Sequence, residues 1–467
     1  MQDRLTALGR TADWSRLSGS LALVGGLVVA GYAIATLVMR FDPYYAIAAM
    51  LCVVLGVVIA YKPELGVFCY FAIAPYALGK SPEIESRNSD YSAGLLPSEL
   101  LLGFLLAMWL GRRLLTGNWK LAPSGLNKPM VALGAVVIAS FACSQLIYDP
   151  TIPEAHHLLI TQLAETGLFL LAIGAFFLAA NSLVTPKWIN ALFYPMVFVG
   201  LYAAAFKLTG TPMIVPTPKA TLVATVAAGY IFARLLFRPP GRLASVILWA
   251  ILILCAAVPV QSHSWISGLI AMGVVMLTLL FLKSRKAFAY ILVVLAVLAI
   301  AARPVFVDMY KFSEETGDFD RFGIWGDAAR MAWDTNPVLG VGPGNFYPYS
   351  FRFGTIWYGR YTYTTAHNNY AQAAAEMGLL GLAAFVWLIV AGLKTGLGLF
   401  RKARADLKWL PAAATAILAG FAASSLLGDY MFPNRANGGL LTFGISVYVW
   451  LTMGAAVSAG RVSEVES

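Results

Sequence analysis

The sequence predicts an all-α, polytopic transmembrane bundle of about 12–14 spans, with one large outward loop that contains short helices. Three observations predict it. Hydrophobic residues make up 59% of the 467 positions and charged residues only 12%, whereas soluble domains are about 45–50% apolar and about 25% charged. So little charge leaves a surface that lipid must cover. Apolar runs recur at the roughly 20-residue length that crosses a bilayer. The basic residues between the runs fall in an alternating pattern.

The runs justify themselves in order. Arg4, Arg10 and Arg16 precede the first, 18–39, which is too long for a cleavable leader and reads as a signal anchor. Runs at 44–61 and 64–79 follow, the latter short enough to be re-entrant. A basic stretch with Arg112, Arg113, Lys120 and Lys128 separates 95–111 from 129–148. Lys187 lies between 158–182 and 188–206, and Arg234, Arg238 and Arg242 between 219–237 and 243–260. Spans 264–282 and 287–306 flank Lys283, Arg285 and Lys286. The last three, 369–393, 409–428 and 437–458, follow the long loop, with a basic segment from Lys394 to Lys408 between the first two.

Alternate gaps of this map place 21 of the 33 basic residues and 6 of the 23 acidic ones on one side. The other side keeps 12 bases and 17 acids, so the two faces carry +15 and −5, consistent with the formal +10. Basic residues stay cytoplasmic, so both termini are expected inside. The net positive charge therefore reads as membrane topology, not as a nucleic-acid surface. Cys52, Cys69, Cys143 and Cys255 all lie in apolar runs without metal or redox spacing, as small core hydrophobes do.

The map divides the chain into N-terminal membrane helices (1–306), an outer loop (307–366) and C-terminal membrane helices (367–467). A connection of about 60 residues is uncommon without a role. This one is rich in Trp325, Trp333, Trp357, Tyr358, Tyr361 and Tyr363, and also holds Arg321, Arg330, Arg352 and Arg360. Such rings stack on sugars or form an interfacial belt. Asp318 to Asp334 reads as a short amphipathic helix, capped by Asp318 or Asp320, with Phe322, Trp325, Ala329 and Trp333 at helical spacing. Asn336-Pro337 stops it. Gly340-Val-Gly-Pro-Gly344-Asn345-Phe346 is then a turn that lets backbone approach a ligand or another segment.

The next helix is predicted to open at Thr364-Thr-Ala-His367-Asn368-Asn-Tyr370 and to run through Gly378 and Gly381. Eleven residues make about three turns, so Gly378 is expected beneath His367, on a face where small residues admit a neighbouring helix.

Together, Arg321-Phe-Gly-Ile-Trp325, Asn336-Pro-Val-Leu-Gly340-Val-Gly-Pro-Gly-Asn345-Phe346, Ala366-His367-Asn368-Asn-Tyr370 and Gly378-Leu-Leu-Gly381 resemble the conserved block of the O-antigen ligase and polymerase superfamily. His-Asn, nine residues, Gly, two residues, Gly is similar to the ligase signature. The resemblance is specific over about residues 318–385. It implies a metal-independent glycosyltransferase of a bacterial inner membrane. The donor would be a glycan on undecaprenyl pyrophosphate. The acceptor would be a sugar hydroxyl at the periplasmic face, on lipid A core for a ligase or a second lipid-linked glycan for a polymerase. His367 is implied as the base and Arg321 as a pyrophosphate ligand, with Asn345, Asn368 and Trp325 as further substrate-binding candidates; no cofactor is implied. Imidazole and guanidinium suit those two tasks.

One departure stands out. Relatives carry a Ser-Arg pair at the start of an earlier span. Here the matching stretch is Gln261-Ser-His263-Ser-Trp265, with histidine where arginine is expected. His263, Lys207 or Lys219 is expected to supply that cation. His156-His157 reads as a polar interfacial loop, since adjacent helical residues point about 100° apart. Glu165 lies within a span near its outer end, and Asp429 and Arg435 flank a short outer turn where they can pair. A transporter or flippase for the same lipid, the less favoured alternative, would need internal repeats and midplane charges; no repeat is visible and most charges sit at the span ends.

Overall fold

A computed structural model describes residues 25, 56, 58, 61–74, 97–147, 152, 158–210, 220–261, 266–301, 321–353, 356–357, 361–362, 365–432 and 443–465. The predicted spans 18–39 and 44–61 lie outside the described residues apart from a few positions, as do Lys219, His263, His156, His157, Asp318, Asp320 and Arg435. The side chains of Arg321, Trp357 and Tyr361 are likewise outside the description.

The chain is helical as predicted. In order, α1 is Pro63–Ile73, α2 Pro97–Thr116, α3 Asn127–Leu146, α4 Leu158–Ser182, α5 Pro186–Ala191 and α6 Phe193–Thr209. Next come α7 Ala220–Phe237, α8 Arg242–Gln261, α9 Ile266–Lys283 and α10 Arg285–Ala301. The segment that follows α10 supplies α11 Arg321–Thr335 and α12 Phe346–Phe353. A two-residue antiparallel ribbon follows, β1 Ile356–Trp357 with β2 Tyr361–Thr362. Last are α13 Asn369–Lys402, α14 Trp409–Ser424 and α15 Phe443–Val465. Each predicted span from 64–79 onward coincides with a helix, and 188–206 carries the short α5 before α6. Among the described residues, seven helical stretches are long and apolar enough to cross a membrane. Three shorter apolar helices, α1, α9 and α14, join them. The protein is a multi-pass membrane protein.

Two compact units divide the chain: Met1–Val67 with Ala107–Lys120, and Phe68–Leu106 with Leu121–Ser467. The second holds everything described below. At its centre α15 is buried from Phe443 to Gly460, packed against α4, α14 and α13. Small residues make this possible: a Cβ on Gly454 would lie 2.4 Å from the Phe176 carbonyl oxygen, so α4 and α15 touch almost backbone to backbone. Tyr230 and Thr452 share a buried hydrogen bond of 3.0 Å between α7 and α15. At the periphery, α8 exposes Leu243, Val246, Ile247 and Ile253, and α10 exposes Tyr290, Val293, Val297 and Ile300. Such rows face hydrocarbon rather than water.

The helix predicted at 318–334 is present as α11, but of its predicted stripe only Trp325 packs against the core. Phe322 and Trp333 are 67% and 71% exposed, while Ile324, Ala328 and Met331 are buried. Those three join Val341, Phe346, Tyr349, Ala366 and Ala375 in a small core that binds α11, α12 and the start of α13 into one body. Asp327 lies on the same buried side, where desolvation raises its carboxyl above the usual range and neighbouring Arg330 partly opposes the rise.

Candidate active site

The site is assembled on a break in α13. At Gly378 the backbone takes φ 65° and ψ −164°, a combination open essentially to glycine alone. The break frees two carbonyls and two N–H groups inside the protein, where each needs a partner. Segment 337–342 supplies all four. Val341 N–H donates to the Ala375 carbonyl (3.0 Å) and Gly342 N–H to the Glu376 carbonyl (2.8 Å). Leu379 and Leu380 N–H donate to Pro337 and Val338 (2.9 and 3.2 Å). The loop is thus spliced into the helix.

Two glycines permit this. A Cβ on Gly340 would lie 2.4 Å from the Glu376 carbonyl carbon, and one on Gly378 would lie 2.4 Å from that of Val338. The glycine turn therefore approaches another segment of the chain. The expectation that Gly378 serves helix packing beneath His367 is corrected: the partner is a loop, and the helix is not continuous there. Ser140, buried on α3, places its hydroxyl 2.7 Å from both the Leu339 and Glu376 carbonyl oxygens. Asn345 donates to Val341 O within the loop (2.7 Å) and accepts from Gln162 of α4 (2.6 Å), tying the turn to that membrane helix.

His367 precedes the helix rather than opening it. Asn368 is the N-cap, its side-chain oxygen accepting from Tyr370 and Ala371 N–H at 2.9 and 3.2 Å. His367 itself has φ 48°, the one described non-glycine residue in that region. Such backbone costs about 1–3 kcal/mol and persists where the surroundings over-determine it. Here they do. Trp325 Nε1 donates to the Ala366 carbonyl (3.0 Å), Ala366 N–H donates to Gln372 Oε1 (2.8 Å), and His367 N–H donates to Thr365 Oγ1 (3.3 Å). Behind the turn, Asn369 Oδ1 gathers the backbone N–H groups of Tyr430, Met431 and Phe432 at 2.8–3.3 Å.

That latch delivers Asp429, whose expected pairing with Arg435 lies outside the described residues. Asp429, with no exposed side-chain surface, stands with Oδ2 3.5 Å from His367 Nδ1. The same oxygen accepts from Thr365 Oγ1 (2.7 Å), and Oδ1 accepts from Asn369 Nδ2 (3.4 Å). The imidazole is 28% exposed. A carboxylate facing Nδ1 favours the proton on that nitrogen, leaves Nε2 as the basic one and stabilises the imidazolium once formed.

Residues 248–386, from α8 into α13, match the family model for O-antigen ligase. This segment is 139 of the 467 residues, and its match supports kinship with the O-antigen ligase superfamily. A search of curated proteins returns no match. The family supports membrane glycosyl transfer of the ligase or polymerase type, from a lipid-linked glycan to a polysaccharide or lipid A acceptor in general.

The O-antigen ligase segment contains Arg321, Trp325, Asn345, His367, Asn368 and both signature glycines; Asp429 lies beyond it. The structure brings Trp325, Asn368 and His367 together at one turn. Asn345 is buried in the glycine loop. Arg321 is the first residue of α11, one helical turn before Trp325. Lys207 is exposed in the last turn of α6, and Glu165 is buried in α4. The only signals for Asp429 were its acidic charge and its place at the end of an apolar run.

Proposed function

We propose that the protein transfers a glycan from undecaprenyl pyrophosphate to a sugar hydroxyl at the periplasmic face of a bacterial inner membrane, with both termini cytoplasmic. The acceptor of a ligase-type reaction is lipid A core. The observation that carries the reading is His367, partly exposed, held in a left-handed turn against buried Asp429. His367 takes the acceptor's proton, the oxygen attacks the anomeric carbon, and the bond from that carbon to the pyrophosphate oxygen breaks. Undecaprenyl pyrophosphate leaves with the electron pair. Loss of that group needs charge stabilisation rather than protonation, and an arginine fork matches phosphate. Arg321 is assigned this task without a metal; its support is the neighbouring Trp325, whose indole reaches the carbonyl just before His367. Asn345 and Asn368 act chiefly by holding the loop and the turn, and Trp325 by both contact and support. The second cation is assigned to His263, Lys207 or Lys219.

Surface glycans of a deletion strain test the acceptor. Accumulation of lipid-linked polymer marks a ligase, single lipid-linked repeats mark a polymerase, and an unchanged glycan profile removes the transferase reading. For purified enzyme, Arg321→Lys should retain part of the rate and Arg321→Ala much less, because lysine keeps the charge but loses the planar fork. Equal rates for the two variants would overturn the arginine assignment, and loss of wild-type activity with a chelator would end the metal-free mechanism.

A further inference from the structure

Glu376 lies buried on α13 between the His367 turn and the glycine loop, and the transfer chemistry above gives it no task. Its Oε1 accepts from Gln372 Nε2 at 2.7 Å and from Phe346 N–H, at the end of the glycine loop, at 3.4 Å. Gln372, also buried, turns its own oxygen to Ala366 N–H at 2.8 Å. An amide has one accepting and one donating end. With its nitrogen committed to Glu376, Gln372 must present its oxygen to Ala366.

We infer that Gln372 and Glu376 form a buried relay that sets the backbone of the His367 turn by reference to the glycine loop, so that both are positioning residues for transfer. The inference rests on the proposed role of His367. Its geometric content is independent of that role: Glu376 decides which way Gln372 faces, and Gln372 holds the peptide before a left-handed histidine. The main-chain oxygen of Glu376 is at the same time bound by Gly342 N–H, and Ser140 Oγ lies 2.7 Å from it. One residue therefore holds the glycine loop through its main chain and, by way of Gln372, the His367 turn through its side chain. Displacing a reacting group by about 1 Å costs on the order of 10²-fold in rate. A side chain that touches no substrate can thus govern the rate without governing binding.

The experiment compares Glu376→Leu, Glu376→Gln and Gln372→Met in detergent-purified, full-length protein with lipid-linked donor and acceptor. Glu376→Leu removes the acceptor and should lower kcat by about 10²-fold with donor KM within about twofold of wild type. Glu376→Gln keeps one acceptor oxygen and should recover most of that loss. Gln372→Met should lower kcat like Glu376→Leu, which preserves the test if the leucine variant does not fold. Hydrogen exchange of the peptide spanning 365–371 should be faster in Glu376→Leu and Gln372→Met than in wild type or Glu376→Gln. Equal kcat for the leucine and glutamine variants, or a loss confined to KM, would overturn the relay. His367→Ala in the same assay separates the two readings. If it is fully active the base assignment falls, and the relay is then judged on exchange alone: unchanged protection in Gln372→Met refutes it, and lost protection upholds it.

Discussion

His367→Ala is expected to lower glycosyl transfer by about 10²–10⁴-fold while donor binding persists, the range that a positioned general base contributes. The histidine is partly exposed and its turn is held by backbone and by Trp325, Gln372 and Asn368, so truncating the ring leaves the fold standing. Asp429→Asn should fall between wild type and His367→Ala. Asparagine can still face Nδ1, but it brings no charge to offset the imidazolium. Retained donor binding with lost turnover, read by single-turnover kinetics on purified protein, is the diagnostic pattern. Full activity in His367→Ala would remove the base from the mechanism, and an Asp429→Asn rate below that of His367→Ala would show that the carboxylate matters mainly for folding.

Much of the fold was legible because hydropathy and charge placement act over whole helices. The span predicted at 158–182 is α4 at the same bounds, and that at 243–260 is α8 within one residue at either end. The outer segment was harder. Helix α11 carries aromatic rings on one side (Phe322, Trp333) and aliphatic or small residues on the other (Ile324, Ala328, Met331). Both sides are apolar enough to satisfy a helical period, so the stripe could not say which faces the core. Phe322 and Trp333 face away from this core, as aromatic residues do at the edge of a bilayer, while Trp325 packs against it. His367 was legible from its spacing to Gly378 and Gly381. Asp429 was not, because it sits 62 residues downstream and comes to His367 only through the turn that Asn369 latches. No local pattern encodes that approach.

Gly378 was read for the right importance and the wrong reason, and its substitution is the sharpest test of how the site is built. Gly378→Ala is expected to abolish the folded catalytic block rather than slow one step. Alanine is nearly excluded from φ 65°, ψ −164°, a cost of about 1–3 kcal/mol before packing is considered. Its Cβ would lie 2.4 Å from the carbonyl carbon and oxygen of Val338, backbone atoms that cannot rotate away. If residue 378 instead adopted helical angles, the four backbone groups now paired with Pro337, Val338, Val341 and Gly342 would return to the helix. The glycine loop would then be left without its seat. Gly340→Ala meets the same obstacle from the loop side, 2.4 Å from the Glu376 carbonyl carbon and 2.5 Å from the Ala375 oxygen. Gly273→Ala is the control, since nothing lies within 4 Å of its Cβ and alanine favours a helix by about 0.8–1.0 kcal/mol over glycine. Thermal unfolding and size-exclusion behaviour in detergent should show Gly378→Ala and Gly340→Ala severely destabilised and Gly273→Ala at least as stable as wild type. A Gly378→Ala protein that is monodisperse, melts with wild type and retains transfer would mean that α13 tolerates a continuous helix. The splice between loop and helix would then be dispensable.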